Sequence, residues 1–108
     1  MPYLFVGAGQ AGSAILDSVF KFRNMNLIAN PLAINSTAKD LSNLRQIKKI
    51  NWLGISEKEG IIEGTVSGFE EKVTGGFGKN PVRAAEVIEA NYSSLLEALK
   101  KRIAIEAV

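Results

Sequence analysis

Neither cysteine nor histidine occurs in the 108 residues. The lack of cysteine excludes disulfides, thiolate nucleophiles and thiolate metal sites. The lack of histidine removes the usual neutral-pH general base and the commonest zinc ligand. No apolar run approaches the length of a membrane span, and no signal-peptide pattern opens the chain. These absences predict a soluble, cytoplasmic protein without a membrane span. A net charge of +2 is too small to argue for nucleic acid. Its distribution is uneven: residues 1–56 carry six Lys or Arg against Asp17 and Asp40, whereas residues 57–71 carry five Glu and one Lys. A basic first half suits a phosphate-rich ligand, but solvated helix faces and loops are the favoured reading of it.

What the sequence does contain is concentrated near its start. The apolar run Tyr3-Leu4-Phe5-Val6 has the length of one buried strand. Gly7-Ala8-Gly9-Gln10-Ala11-Gly12 follows at once, and an amphipathic run then begins at Ser13. Strand, glycine turn and helix in this order make an anion site. Residues without Cβ let the backbone approach a phosphate, while the free N–H groups and dipole of the new helix face the charge. Gly7, Gly9, Gln10 and Ala11 are therefore candidate nucleotide-binding residues. The same sequence also serves as a plain strand-to-helix turn.

At 108 residues the chain is expected to be a single nucleotide-binding domain, residues 1–108. A first helix is predicted over 11–22, with Ala14, Ile15, Leu16, Val19 and Phe20 apolar and Ser13, Asp17 and Lys21 on another face. A second strand is predicted over 32–35, limited by Pro31. A short helix over 38–45 follows, with Thr37 and Asp40 at capping-box spacing. A third strand is predicted over 50–53, ended by Gly54. Alternating strands and helices predict an α/β fold with a doubly wound, mostly parallel, Rossmann-like sheet.

Residues 56–78 break this rhythm and read as a long glycine-rich insertion or arm, with Gly60, Gly64 and Gly68 recurring every four residues. The segment ends in Gly75-Gly76-Phe77-Gly78, followed by Lys79-Asn80-Pro81. Asn before Pro is a helix start, and a single long helix is predicted over 81–102. Residues 103–108 could begin a fourth strand. Two glycine turns thus each feed a helix. If both helices leave one sheet edge, their positive ends converge, with Lys79 as a cation for phosphate.

GAGQAG matches the dinucleotide fingerprint, which also requires an acid at the end of the second strand. Asn35-Ser36-Thr37 stands there instead, and no Asp or Glu lies between Ile28 and Ala38. A dinucleotide-binding (NAD or FAD) domain is therefore the alternative, and a small self-associating scaffold a second one.

The string GAGQAGSAILD, the segment NSTAKDL and the helix start GGFGKNP, in that order, resemble the tubulin/FtsZ family. NSTAKDL looks more like the CetZ- and TubZ-type proteins than like bacterial FtsZ. The resemblance implies GTP or GDP binding with Mg²⁺, head-to-tail filaments, and the N-terminal part of a polymerising GTPase domain. It implies that Gly9, Gln10 and Ala11 lie along the α/β-phosphates. Asn35 would be near the nucleotide, and Gly76, Gly78 and Asn80 near the γ-phosphate. Thr37 departs from the acidic residue of bacterial FtsZ, and no GxGTG string is present. The chain alone is accordingly expected to bind GTP weakly and not to hydrolyse it. Self-association is expected through the sheet edge open to further strands or through the 56–78 arm.

Overall fold

The computed structural model describes residues 3–75 and 81–104. Strands β1 (Tyr3–Ala8), β2 (Ala29–Asn35) and β3 (Trp52–Ser56) run parallel, and β4 (Gly60–Glu63) returns antiparallel to β3. They form one four-stranded sheet in the order β1-β2-β3-β4. Helix α1 (Gly9–Val19) connects β1 to β2, and α2 (Ala38–Ser42) connects β2 to β3. Beyond β4 come α3 (Phe69–Lys72), α4 (Pro81–Ala90) and α5 (Tyr92–Ala104).

Side chains alternate between the two faces of a strand, so the apolar strands need cover on both sides. On one face Ala29, Ala33, Trp52 and Ile62 pack with Leu16, Phe20, Leu41, Phe69 and Val73 from α1, α2 and the α3 segment. On the other, Leu32 and Leu53 pack with Ala98, flanked by Leu95 and Leu99 of α5. The result is α/β with a mixed, mostly parallel sheet between helices, an arrangement compatible with a Rossmann-like fold.

Several boundaries differ from the sequence expectation for identifiable reasons. Strand β2 starts at Ala29 and runs through Pro31. Pairing with β3 begins only at Ala33, so Pro31 lies where β2 is paired on one side alone and its missing N–H is tolerated. The predicted helix over 81–102 is two helices. At Asn91 the side-chain amide donates to the Val87 carbonyl at 2.8 Å, while its own N–H reaches the Val87 and Ile88 carbonyls. A side chain competing for backbone carbonyls interrupts regular winding. Ile103 and Ala104 belong to α5 rather than to a fourth strand, and 105–108 lie outside the described residues.

The segment read as an insertion or arm is part of the fold over 56–75. Its β4 extends the sheet, and Phe69 and Val73 are buried in the core. Gly54 permits this, because a Cβ there would sit 2.5 Å from Val73 Cγ2 and 2.8 Å from Phe69 Cε1. A strand of four residues that itself begins with Gly60 is too short for a period to show. The remaining 76–78 lie outside the described residues.

Helix α1 also presents a different face. Ser13 and Asp17, read as lying on a different face from the apolar residues, are buried, while Ile15 of the apolar set is 67% exposed. Ser13 Oγ donates to the Gly7 carbonyl at 3.2 Å. The Asp17 carboxylate accepts three backbone N–H groups, from Arg45 at 3.1 Å, Gln46 at 2.8 Å and Ile47 at 3.0 Å. This clasp holds the loop after α2, which ends at Ser42 and not at 45. The Thr37–Asp40 capping box is not formed, since Thr37 makes no side-chain cap bond. Ala38 N–H is held instead by the Val73 carbonyl at 2.9 Å.

Replacing Asp17 with Ala leaves three backbone donors without that acceptor. The expected loss, about 2–4 kcal/mol, follows from the cost of orphaned buried groups. Urea denaturation should place Asp17→Asn between wild type and Asp17→Ala, because one amide oxygen can still serve Gln46 and Ile47.

Candidate functional site

Parallel strands deliver their exits to one edge of the sheet, and open α/β sheets bind ligands outside those carboxyl ends. Ala8 is the register partner of Ile34, so the β1 exit at Gly9 and the β2 exit at Asn35 emerge side by side. Asn35 pairs in turn with Gly54, placing the β3 exit next in line. The structure therefore brings Gly7, Gly9, Gln10, Ala11 and Asn35 to the same edge.

The glycines there differ in purpose. A Cβ on Gly7 would lie 2.6 Å from the Gly12 carbonyl oxygen and 3.0 Å from Leu16 Cβ. Gly7 thus permits α1 to lie directly on β1. Gly9 has φ +75°, and nothing lies within 4 Å of where its Cβ would stand, so this glycine serves conformation rather than packing. It opens α1, whose N-cap residue, Ala8, offers no side-chain hydrogen bond. No acid sits in the first turn. Among the described residues no side chain caps the first-turn N–H groups, and no first-turn acid offsets the positive end of the helix dipole. Gln10 and Ala11 are exposed on this turn. Gln10 also lines a groove of about 270 Å³ between α1 and α2 with Asp17, Lys21, Asp40 and Arg45.

Asn35 is 7% exposed. Its Oδ1 accepts the Thr37 N–H at 3.2 Å, an Asx turn, while Nδ2 is buried with no hydrogen-bond partner. Asn35 shares a strand face with Ala33, the register partner of Gly7, and so lies on the α1 side of the sheet.

The chain leading towards the second glycine cluster is stitched to this edge. Thr74 bridges Thr37, and Gly75 at φ +78° passes so close that a Cβ would stand 2.7 Å from Thr37 Oγ1. At the other flank, Arg83 in the first turn of α4 binds Glu57, the residue after β3, with Nη2 to Oε1 at 2.6 Å. The Glu57 carboxylate raises the Arg83 pKa above its ordinary value. Both flanks of 76–80 thus meet the carboxyl ends of the strands. Gly76, Gly78, Lys79 and Asn80 themselves lie outside the described residues.

Sequence reasoning missed the orphan Asn35 amide and the Arg83–Glu57 tie. A strand-terminal Asn before Ser-Thr hints at an Asx turn. An ion pair across 26 positions leaves no local pattern. Among the described residues no group of three or more His, Asp or Glu could hold a metal ion. Comparison with known proteins finds no family model, curated protein or solved structure that matches this chain.

The two glycines are separable by substitution. Gly7→Ala should cost more than about 2 kcal/mol, since the Cβ meets backbone that must shift. Gly9→Ala should cost about 1–2 kcal/mol from its left-handed conformation alone. Denaturant midpoints of the two variants check the order.

Proposed function

We propose that this edge binds the phosphates of a guanine nucleotide, and that the chain supplies the first phosphate loops of a tubulin/FtsZ-like polymerising GTPase domain. The observation that carries the phosphate reading is the α1 start. An eleven-residue helix begins at a left-handed glycine, with no side-chain bond from its N-cap residue and no acid in its first turn, at the sheet edge that also carries a buried amide with no acceptor. Such donors favour an anion, and phosphate is the anion that glycine turns of this kind accommodate. Guanine and the family rest on the resemblance of GAGQAGSAILD, NSTAKDL and GGFGKNP. On this reading Gly9, Gln10 and Ala11 follow the α/β-phosphates, Asn35 lies near the nucleotide, Gly76, Gly78 and Asn80 lie near the γ-phosphate, and Lys79 serves as a cation for phosphate.

Magnesium fits only as a companion of the nucleotide. The described residues offer no acidic cluster for it, and Mg²⁺ commonly keeps phosphate and water ligands. Hydrolysis requires groups that orient water and offset developing charge. The chain's own residues cradle phosphate through backbone N–H donors, and no carboxylate is assigned to activating water. Turnover by this chain alone is not part of the proposal.

Titration calorimetry with GTP and Mg²⁺ should show weak, saturable binding without phosphate release, and no heat with NADH. NADH binding without GTP binding would favour the dinucleotide alternative. No binding of either would leave a scaffold.

The proposal extends to self-association. Strand β1 lies at the sheet edge, and Tyr3, Phe5 and Val6 are 60%, 38% and 48% exposed. Sedimentation velocity should show a concentration-dependent dimer or larger species, weakened by Val6→Lys. A monomer throughout the millimolar range would refute this interface.

A further inference from the structure

The opposite end of the sheet carries a site of another kind. On the face that α5 covers, Leu32 and Leu53 are buried with Ala98. Side chains alternate along a strand, so two residues nearer the start of β2 the same face carries Asn30. Asn51 precedes β3 and Glu63 ends the antiparallel β4, which brings both to this end as well. The apolar face gives way to polar residues, and a hollow of about 400 Å³ opens there beside the last turn of α5. Small molecules occupy sites of roughly 300–1,000 Å³.

Arg102 ties the walls together. It is 9% exposed and bonds to three elements. Nη2 donates to Glu63 Oε1 at 2.6 Å and to the Ile50 carbonyl at 3.3 Å. Nη1 donates to Glu63 Oε2 at 3.2 Å and to the Ala98 carbonyl at 3.0 Å. Arg102 and Glu63 thus offset each other's charge, and their bonds hold the hollow's shape. The remaining charge on the lining is Lys101, exposed and without an ion pair among the described residues. No hydrogen bond among the described residues engages the Asn51 carboxamide or the Thr65 hydroxyl, which line the same hollow. Ile50 adds an apolar wall that is 69% exposed.

We infer that this hollow binds a small organic monoanion, a carboxylate with an apolar body. The carboxylate takes Lys101, with the Asn51 amide and Thr65 hydroxyl as further donors, and the apolar body covers Ile50. Two cations and one carboxylate on the lining leave one positive charge, which matches one negative charge on the ligand. The hollow also lies at the C-terminal end of α5, where the helix dipole is negative, and beside Glu63. Both disfavour a multiply charged anion such as a polyphosphate. The site is therefore separate in place and in preference from the phosphate edge, and it does not depend on that reading.

The test is a ¹⁵N NMR titration of the chain with benzoate, benzamide and benzamidinium, which share a shape and differ in charge, and with pyrophosphate. The expected result is that benzoate saturably shifts the Ile50, Asn51, Thr65 and Lys101 amide signals. Benzamide should bind at least fivefold more weakly, and pyrophosphate should leave these signals in place. Lys101→Met should weaken benzoate about fivefold, the effect of one exposed charge pair. Lys101→Glu should make benzamidinium the preferred ligand of the three, an inversion that a packing fault would not produce. Circular dichroism checks that both variants are folded. Benzoate that moves none of these signals overturns the site, as does benzamide bound as tightly as benzoate. Pyrophosphate bound there more tightly than benzoate overturns the single-charge preference on which the inference stands. Benzoate affinity unchanged in Lys101→Met, or still preferred in Lys101→Glu, overturns the role of Lys101 and the inference with it. The phosphate reading is judged separately, by the signals of Gly9, Gln10 and Ala11.

Discussion

The contact between α1 and β1 governs the rest of the structure. At Gly7 the helix comes so near the strand that one methyl group would strike the Gly12 carbonyl. That closeness sets how far α1 reaches over the neighbouring strands, and it lets Ser13 bind the Gly7 carbonyl. One turn later Asp17 arrives where its carboxylate can gather the N–H groups of residues 45–47. The gathered loop then presents the Ile47 carbonyl to Trp52 Nε1 at 3.0 Å, which fixes the start of β3. A chain of contacts therefore runs from one missing side chain to the placement of the third strand. It also sets the α1 N-terminus at the sheet edge where the strand exits meet, so packing and the candidate site share a cause.

The parts of this arrangement visible in the sequence are those encoded by neighbours. Tyr3 to Gly12 reads as strand, turn and helix because the apolar run and the glycines are contiguous. The α/β class follows from the alternation of such units. Asp17 was unreadable for a physical reason: spacing at 3.6 residues assigns a charge to water, and only a loop 28 to 30 positions away turns it inward. The 56–75 segment was unreadable for another. Its burial depends on Gly54 in a different strand making room for Phe69 and Val73. Pro31 shortened the expected β2, although β3 does not yet pair with that strand there. Each case is tertiary context outweighing local propensity. Of the candidate site, Gly9 and its turn were legible; the unpaired amide of Asn35 was not, since satisfaction of a hydrogen bond is a property of the folded surroundings.

The two edges of the sheet are treated differently, and the difference bears on function. The β4 edge is four residues long, and its Glu63 is held by Arg102 at 2.6 Å. A short strand bearing a charge is poor template for further pairing. The β1 edge is six residues, YLFVGA, without a charge. Nothing within it discourages another strand, and Ile15 on the adjoining helix adds exposed apolar surface. Natural sheets blunt an edge that must stay unpaired. The unblunted edge lies next to the Gly9 turn, so on the proposed reading the binding edge and the joining edge of the unit would be neighbours. In such a unit β1 serves both: its carboxyl end leads into the Gly9 turn, and its open side meets the next strand. A strand added to β1 would stiffen the turn that follows it, so pairing and ligand affinity would be linked through the same six residues.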